Sequence, residues 1–176
     1  MNKNRLRICL VMQGGLGWIA GIEYIKNIAI ALGSLPPEVR STFDLLLLCG
    51  KTTNADIQEQ VKPYVDELLY EEDCLEPINL VNQVYWKGIK IVSGQFSPRL
   101  DKFLRARSID FVYPYLSSNS ASQPYKSAEC IFDLQHKYLT QFFSADDAIG
   151  RDAWFSGISE KAGTIVLNSK SAESDL

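Results

Sequence analysis

Histidine is almost absent: the 176 residues contain one, His136. A metal centre built on several imidazoles is therefore excluded, and no metal is expected. The four cysteines, Cys9, Cys49, Cys74 and Cys130, form no C-x-x-C pair, which argues against a zinc site or a redox couple. Cys9, Cys49 and Cys130 lie in apolar, strand-like runs and read as small buried thiols of a reducing compartment. Positive charge is not in excess. The formal net charge is -3, so nothing electrostatic invites nucleic acid. No apolar stretch approaches the length of a membrane span. The apolar run behind the basic segment Met1–Arg7 reaches glycine after six residues, too short for the core of a signal peptide. The expected location is the cytoplasm, at most peripheral to the inner face of the membrane.

Two catalytic signatures are also missing. There is no G-x-S-x-G elbow, and no candidate nucleophile has a placed base. The CGKTT at Cys49–Thr53 resembles the end of a phosphate-binding P-loop, but that motif needs glycine five residues before its Gly-Lys. Leu45 stands there, inside an apolar run.

What remains is 46% hydrophobic and 22% charged, enough to bury a core as one domain of ordinary size. Arg7–Met12 and Phe43–Cys49 are apolar runs of the kind that form strands buried on both faces. Ile22, Ile25, Ile28, Ala29 and Leu32 mark one face of a helix that Gly33 and Pro36–Pro37 end. Ile57, Val61, Tyr64, Val65 and Leu68 recur at helical spacing, with a kink expected at Pro63. Further strands are expected at Pro77–Asn82, Ile109–Tyr113, Glu129–Asp133 and Thr164–Asn168. A helix should start at Ser97–Pro98, and Ala148, Phe155, Ile158 and Ala162 share the face of another. Alternating strands and helices with buried strands predict an α/β fold. Its sheet should be doubly wound and mostly parallel, with helices on both faces, in the Rossmann-like manner.

The segment QGGLGWIAG, Gln13–Gly21, joins the first strand to the first helix. Gly15-x-Gly17-x-x-Ala20 fits the dinucleotide fingerprint, whose backbone amides draw phosphate oxygens. A nicotinamide or flavin site also needs an acid at the end of the second strand, to hold the ribose. That strand ends Leu48–Cys49–Gly50–Lys51, and Asp44 lies at its beginning. An oxidoreductase domain is thus the weaker enzyme reading. A non-catalytic Rossmann-like binding module is the non-enzyme one. In a doubly wound sheet the loops after strands one, four and five converge on one crevice. Gln13–Gly21, Tyr115–Asn119 and Asp133–His136 should meet there. Arg99, Lys102 and Arg105 form a basic stripe, read either as a solvated helix face or as a contact for anionic lipid head groups.

GGLGWIAGIEYIKNIAIAL resembles the first loop and helix of retaining glycosyltransferases of family 4, which carry two facing Rossmann-like domains in the GT-B arrangement. FDLQHKYLTQFFS, Phe132–Ser144, resembles a P-D-F-Q-H-x-x-L-P-x-F-F-S pattern of that family. RDAWFSGISEKAGTIVLNSKSAESDL resembles the stretch after it. Phe132, Leu134 and Thr140 depart from the pattern.

The resemblance implies transfer of a sugar from a nucleotide-sugar donor to an acceptor with retention, without a metal. Gly14, Gly15 and Gly17 would then face the donor pyrophosphate. His136 would sit beside the donor sugar as the catalytic residue. Tyr115, Ser117, Asp133, Gln135 and Lys137 would select the acceptor, which is a sugar, a polysaccharide or a lipid-linked saccharide. The family's donor-binding second domain, with its E-x7-E motif, has no counterpart in this chain. The final SKSAESDL reads as the start of a further helix. The chain is therefore expected to be the N-terminal, acceptor-side half of a longer protein, inactive without its C-terminal domain.

Overall fold

A computed structural model describes residues 5–12, 19–51, 55–75, 98–115 and 123–175. Five parallel strands form the main sheet: β1 (Leu6–Val11), β2 (Phe43–Cys49), β3 (Glu67–Tyr70), β4 (Phe111–Tyr113) and β5 (Lys126–Ser127), in the order β3-β2-β1-β4-β5. β6 (Glu129–Ile131) and β7 (Ile165–Leu167) form a second parallel pair. Ala128 alone separates β5 from β6. Its N–H donates to Val112 and its carbonyl accepts from Tyr115, while the Glu129 N–H donates to Thr164. One extended segment thus serves β4 with its first half and β7 with its second.

The strands are apolar because helices cover both faces. Leu45 and Leu47 of β2 point into one cluster with Leu10, Ile25 and Ala29. Leu46 and Leu48 point into the other with Cys9, Val11, Leu100, Phe103 and Leu104. The side chains alternate across the pleat, so a run of four leucines fills two cores. The helix Ile19–Gly33 covers the first face through Ile25 and Ala29, with Ile22, Ile28 and Leu32 half-buried. The helix Pro98–Ala106 covers the second through Leu100, Phe103 and Leu104. The doubly wound, Rossmann-like α/β expectation is met, with the direction of strand addition reversing between β1 and β4.

The third strand differs from the sequence reading. Pro77–Asn82 lies outside the described residues. The run read as helical from Ile57 to Leu68 divides instead: Ala55–Val61 is helix, Lys62–Tyr64 with Pro63 is a 3-10 turn, and Glu67–Tyr70 is β3. Leu68 and Leu69 face opposite clusters. A strand that packs apolar residues on both sides has no apolar-polar alternation, so Leu68 falls on a helical spacing by coincidence.

The long helix Ala145–Lys161 follows a capping box: Ser144 Oγ accepts from the Asp147 N–H, and the Asp147 carboxylate accepts from the Ser144 N–H. Ile158 is its buried position, with Phe155 and Ala162 packed around the same small core as Ile131 and Leu134. The helix Lys170–Ser174 is capped by Ser169, whose Oγ accepts from the Ala172 N–H. Cys9, Cys49 and Cys130 are buried free thiols, as expected. Burial raises the Cys49 thiol to about 11, and Glu71 and Glu72 add to it.

Candidate functional site

In an open parallel sheet, ligands bind beyond the carboxyl ends of the strands, where strand order reverses. Here that edge lies between β1 and β4. Gly14, Gly15, Gly17 and Ser117, all expected in the site, lie outside the described residues. The edge continues across β6 and β7, where the described residues form a crevice of about 250 Å³. Its walls are Phe132, Asp133, Leu134, Gln135, Tyr138, Leu139, Ser169, Ser171, Ala172 and Asp175.

The crevice is a product of short-range turn chemistry at the two strand ends. The Asp133 carboxylate accepts from the Gln135 N–H at 3.1 Å and turns the chain out of β6. A 3-10 turn, Gln135–Lys137, follows. Ser169, just after β7, caps the next helix and so brings Ser171 and Asp175 opposite that turn. The Tyr138 hydroxyl closes the gap by donating to Asp175 at 2.5 Å. That bond, together with burial and the carboxylate charge, raises the Tyr138 hydroxyl above its ordinary value. The floor is apolar, with Leu134 and Ala172 buried. The rim is made of amide, hydroxyl and carboxylate groups. Such a lining offers hydrogen-bond donors and acceptors around an apolar floor.

Of the residues expected to meet the acceptor, the structure brings Asp133 and Gln135 together in this crevice. Lys137 is exposed on the same turn but does not line it. Tyr115 is elsewhere. It is 6% exposed, and its hydroxyl donates to Asp101 at 2.7 Å. Asp101 is itself buried, and the Tyr125 hydroxyl donates to the same carboxylate oxygen. The two tyrosines replace the water that a buried carboxylate loses. Burial raises the Tyr115 hydroxyl well above its ordinary range, and the bond to Asp101 adds to it.

His136 lies below the crevice rather than in it. The ring is 2% exposed and packs against Phe143 and Phe155, with centroids at 6.3 and 5.5 Å. Its Nε2 is 2.8 Å from Asp152 Oδ1. Nδ1 is buried with no hydrogen-bond partner. Nε2 can donate to the Asp152 carboxylate, which leaves Nδ1 as the ring nitrogen without a partner. The imidazole thus pins the Gln135–Lys137 turn to the helix Ala145–Lys161.

Sequence reasoning missed Tyr138, Ser171 and Asp175 as wall residues. The available signal was Ser169: a capping serine at the carboxyl end of a parallel strand places the next turn at the ligand edge.

Two acids bear on the ribose position expected at the end of β2, and both are engaged. The Glu72 carboxylate accepts from the Lys51 N–H with both oxygens, at 3.0 and 2.9 Å. Asp44 pairs with Arg5 at 3.0 Å, at the amino edge of the sheet. Two members of the basic stripe have neighbours on other segments. Burial and Glu72 raise the Glu71 carboxyl, with Arg99 near enough to offset part of the rise, and Arg105 donates to Gln123 at 2.6 Å. Among the described residues no helix is long and apolar enough to cross a membrane, and no group of His, Cys, Asp and Glu could hold a metal ion. Comparison with models of protein families, with curated proteins and with solved structures finds no match.

Proposed function

We propose that the chain is the acceptor-side half of a two-domain, retaining glycosyltransferase that uses a nucleotide-sugar donor. The observation that carries this reading is the crevice beyond β6 and β7. Its apolar floor and its rim of Asp133, Gln135, Tyr138, Ser169, Ser171 and Asp175 suit a sugar better than a flat aromatic cofactor or a phosphate. A phosphate would meet carboxylates there, and like charges repel. The resemblance of Phe132–Ser144 to the glycosyltransferase pattern falls on the same crevice, on β6 and the turn after it.

In this reading Gln135, exposed on the rim, supplies hydrogen bonds to acceptor hydroxyls, and Asp133 accepts from a further one. His136 acts through position: it holds the Gln135 turn. Direct contact with the donor sugar would require the ring to be uncovered. Gly14, Gly15 and Gly17 are assigned to the donor pyrophosphate, which a second domain would bind for the most part. That domain and the acceptor are the partners implied.

The test is titration of the isotope-labelled chain with saccharides, nucleotide sugars and nicotinamide dinucleotides, read by amide chemical shifts. Saccharides should move the amides of Asp133, Gln135, Ser169 and Ser171. Tight dinucleotide binding in their place would establish the oxidoreductase reading. Sugar transfer by these 176 residues with no partner added would overturn the two-domain one.

A further inference from the structure

We propose that a groove on the helix Ala145–Lys161 is a second saccharide subsite, so that the acceptor is an oligosaccharide rather than a single sugar. The proposal rests on the acceptor reading above and deepens it. The groove is about 520 Å³ and is lined by Phe143, Asp146, Asp147, Gly150, Arg151 and Trp154. A pyranose ring has C–H bonds on its faces and hydroxyls around its rim. The negative face of an aromatic ring attracts C–H bonds, carboxylates accept from hydroxyls, and a guanidinium donates to them. The groove holds all three kinds of group, with Trp154 42% exposed at its side.

Gly150 leaves the wall bare between them. A Cβ built there meets no atom within 4 Å. Glycine is a poor choice inside a helix, and here it opens the space that a side chain would fill.

The groove also adjoins the crevice. Arg151 lies over the Phe143 ring at 4.8 Å, and its Nη1 is 3.3 Å from Asp133 Oδ1. Arg151 lines the groove and Asp133 lines the crevice, so this ion pair is a wall common to both. Two linked sugars can lie across it. Exposed apolar side chains line both cavities: Tyr138 and Leu139 the crevice and Trp154 the groove, three of the eight large hydrophobic residues exposed among the described residues. Such a concentration marks a contact surface. The core of a protein interface is depleted of charge, whereas Asp146, Asp147 and Arg151 line the groove together with Phe143 and Trp154. That mixture favours a saccharide over a protein partner.

The test uses an array of defined mono- to hexasaccharides, followed by calorimetric titration of the strongest ligand and its shorter homologues. Trp154→Ala and Gly150→Leu both alter solvent-facing positions, and circular dichroism checks that each variant is folded. Each should weaken oligosaccharide binding about tenfold and leave monosaccharide binding unchanged. If both variants bind oligosaccharide like the parent while Gln135→Ala weakens it, the subsite is overturned and the acceptor reading stands. If no saccharide of any length binds, both are overturned.

Discussion

Asp66 carries much of the electrostatics at the amino edge of the sheet. Its Oδ2 accepts from the Leu45 N–H at 2.7 Å and from Arg40 at 2.5 Å, and Arg5 stands nearby. Burial alone would raise this carboxyl. The Leu45 N–H and the two guanidiniums together outweigh burial and hold it below its ordinary value of 3.8. The folded value is the depressed one, so the stabilisation is present in full above the unfolded value. It is lost as pH falls through the folded value. Asp66→Asn should therefore lower the urea midpoint at pH 7, and the gap from the parent should close as the solution is taken well below pH 3.8. An equal gap at both ends of the range would mean that the carboxyl charge contributes nothing. At the ligand edge, His136 shows a different balance. Its ring fills space between Phe143 and Phe155, so its removal costs packing before it costs chemistry.

Helix ends decide where the elements meet. Gly33 closes the helix Ile19–Gly33 against the 3-10 turn at Tyr64, where an added Cβ would lie 2.4 Å from the Tyr64 carbonyl oxygen. Backbone cannot step aside cheaply, so Gly33→Ala should destabilise by about 1–3 kcal/mol. Gly150→Ala is the contrasting change, because the added methyl meets open space. It should stabilise by about 0.5–1 kcal/mol through helix propensity alone. Thermal unfolding of the two variants separates these signs. The same elements show what was legible in the residues alone. Phe43–Cys49 was readable because a fully buried strand is a plain apolar run. The face of Ile158 was readable because a half-exposed helix keeps its period. β3 was hidden because Leu68 and Leu69 pack on opposite sides, and Tyr138 and Asp175 by distance in the chain. Their meeting depends on how two strand ends are set side by side, which no local pattern records. Asp133 and Gln135 were readable from their position after β6. That His136 would turn inward was not, since its burial is decided by Phe143 and Phe155 on other segments.

The molecule as a whole is built around β1 and β2, and stability should fall off towards β7. Leu45–Leu48 are at most 1% exposed, whereas Ile165–Leu167 are each half-buried and, among the described residues, pair with β6 alone. Local opening follows burial and ladder bonding. Native-state hydrogen exchange should release the amides of Ile165–Leu167 well before those of Leu45–Leu48. Simultaneous exchange would instead make the chain a single cooperative unit. The segment around Ala128 also gives the molecule a natural seam for recombination. A chimaera joined there retains the β4 register on one side and receives a new outer strand, crevice and groove on the other. The incoming cassette must still bring apolar residues in the places of Phe132 and Val166, which pack into the central cluster. Within that condition, ligand preference could be exchanged as a block while the register of the central strands stays as it is.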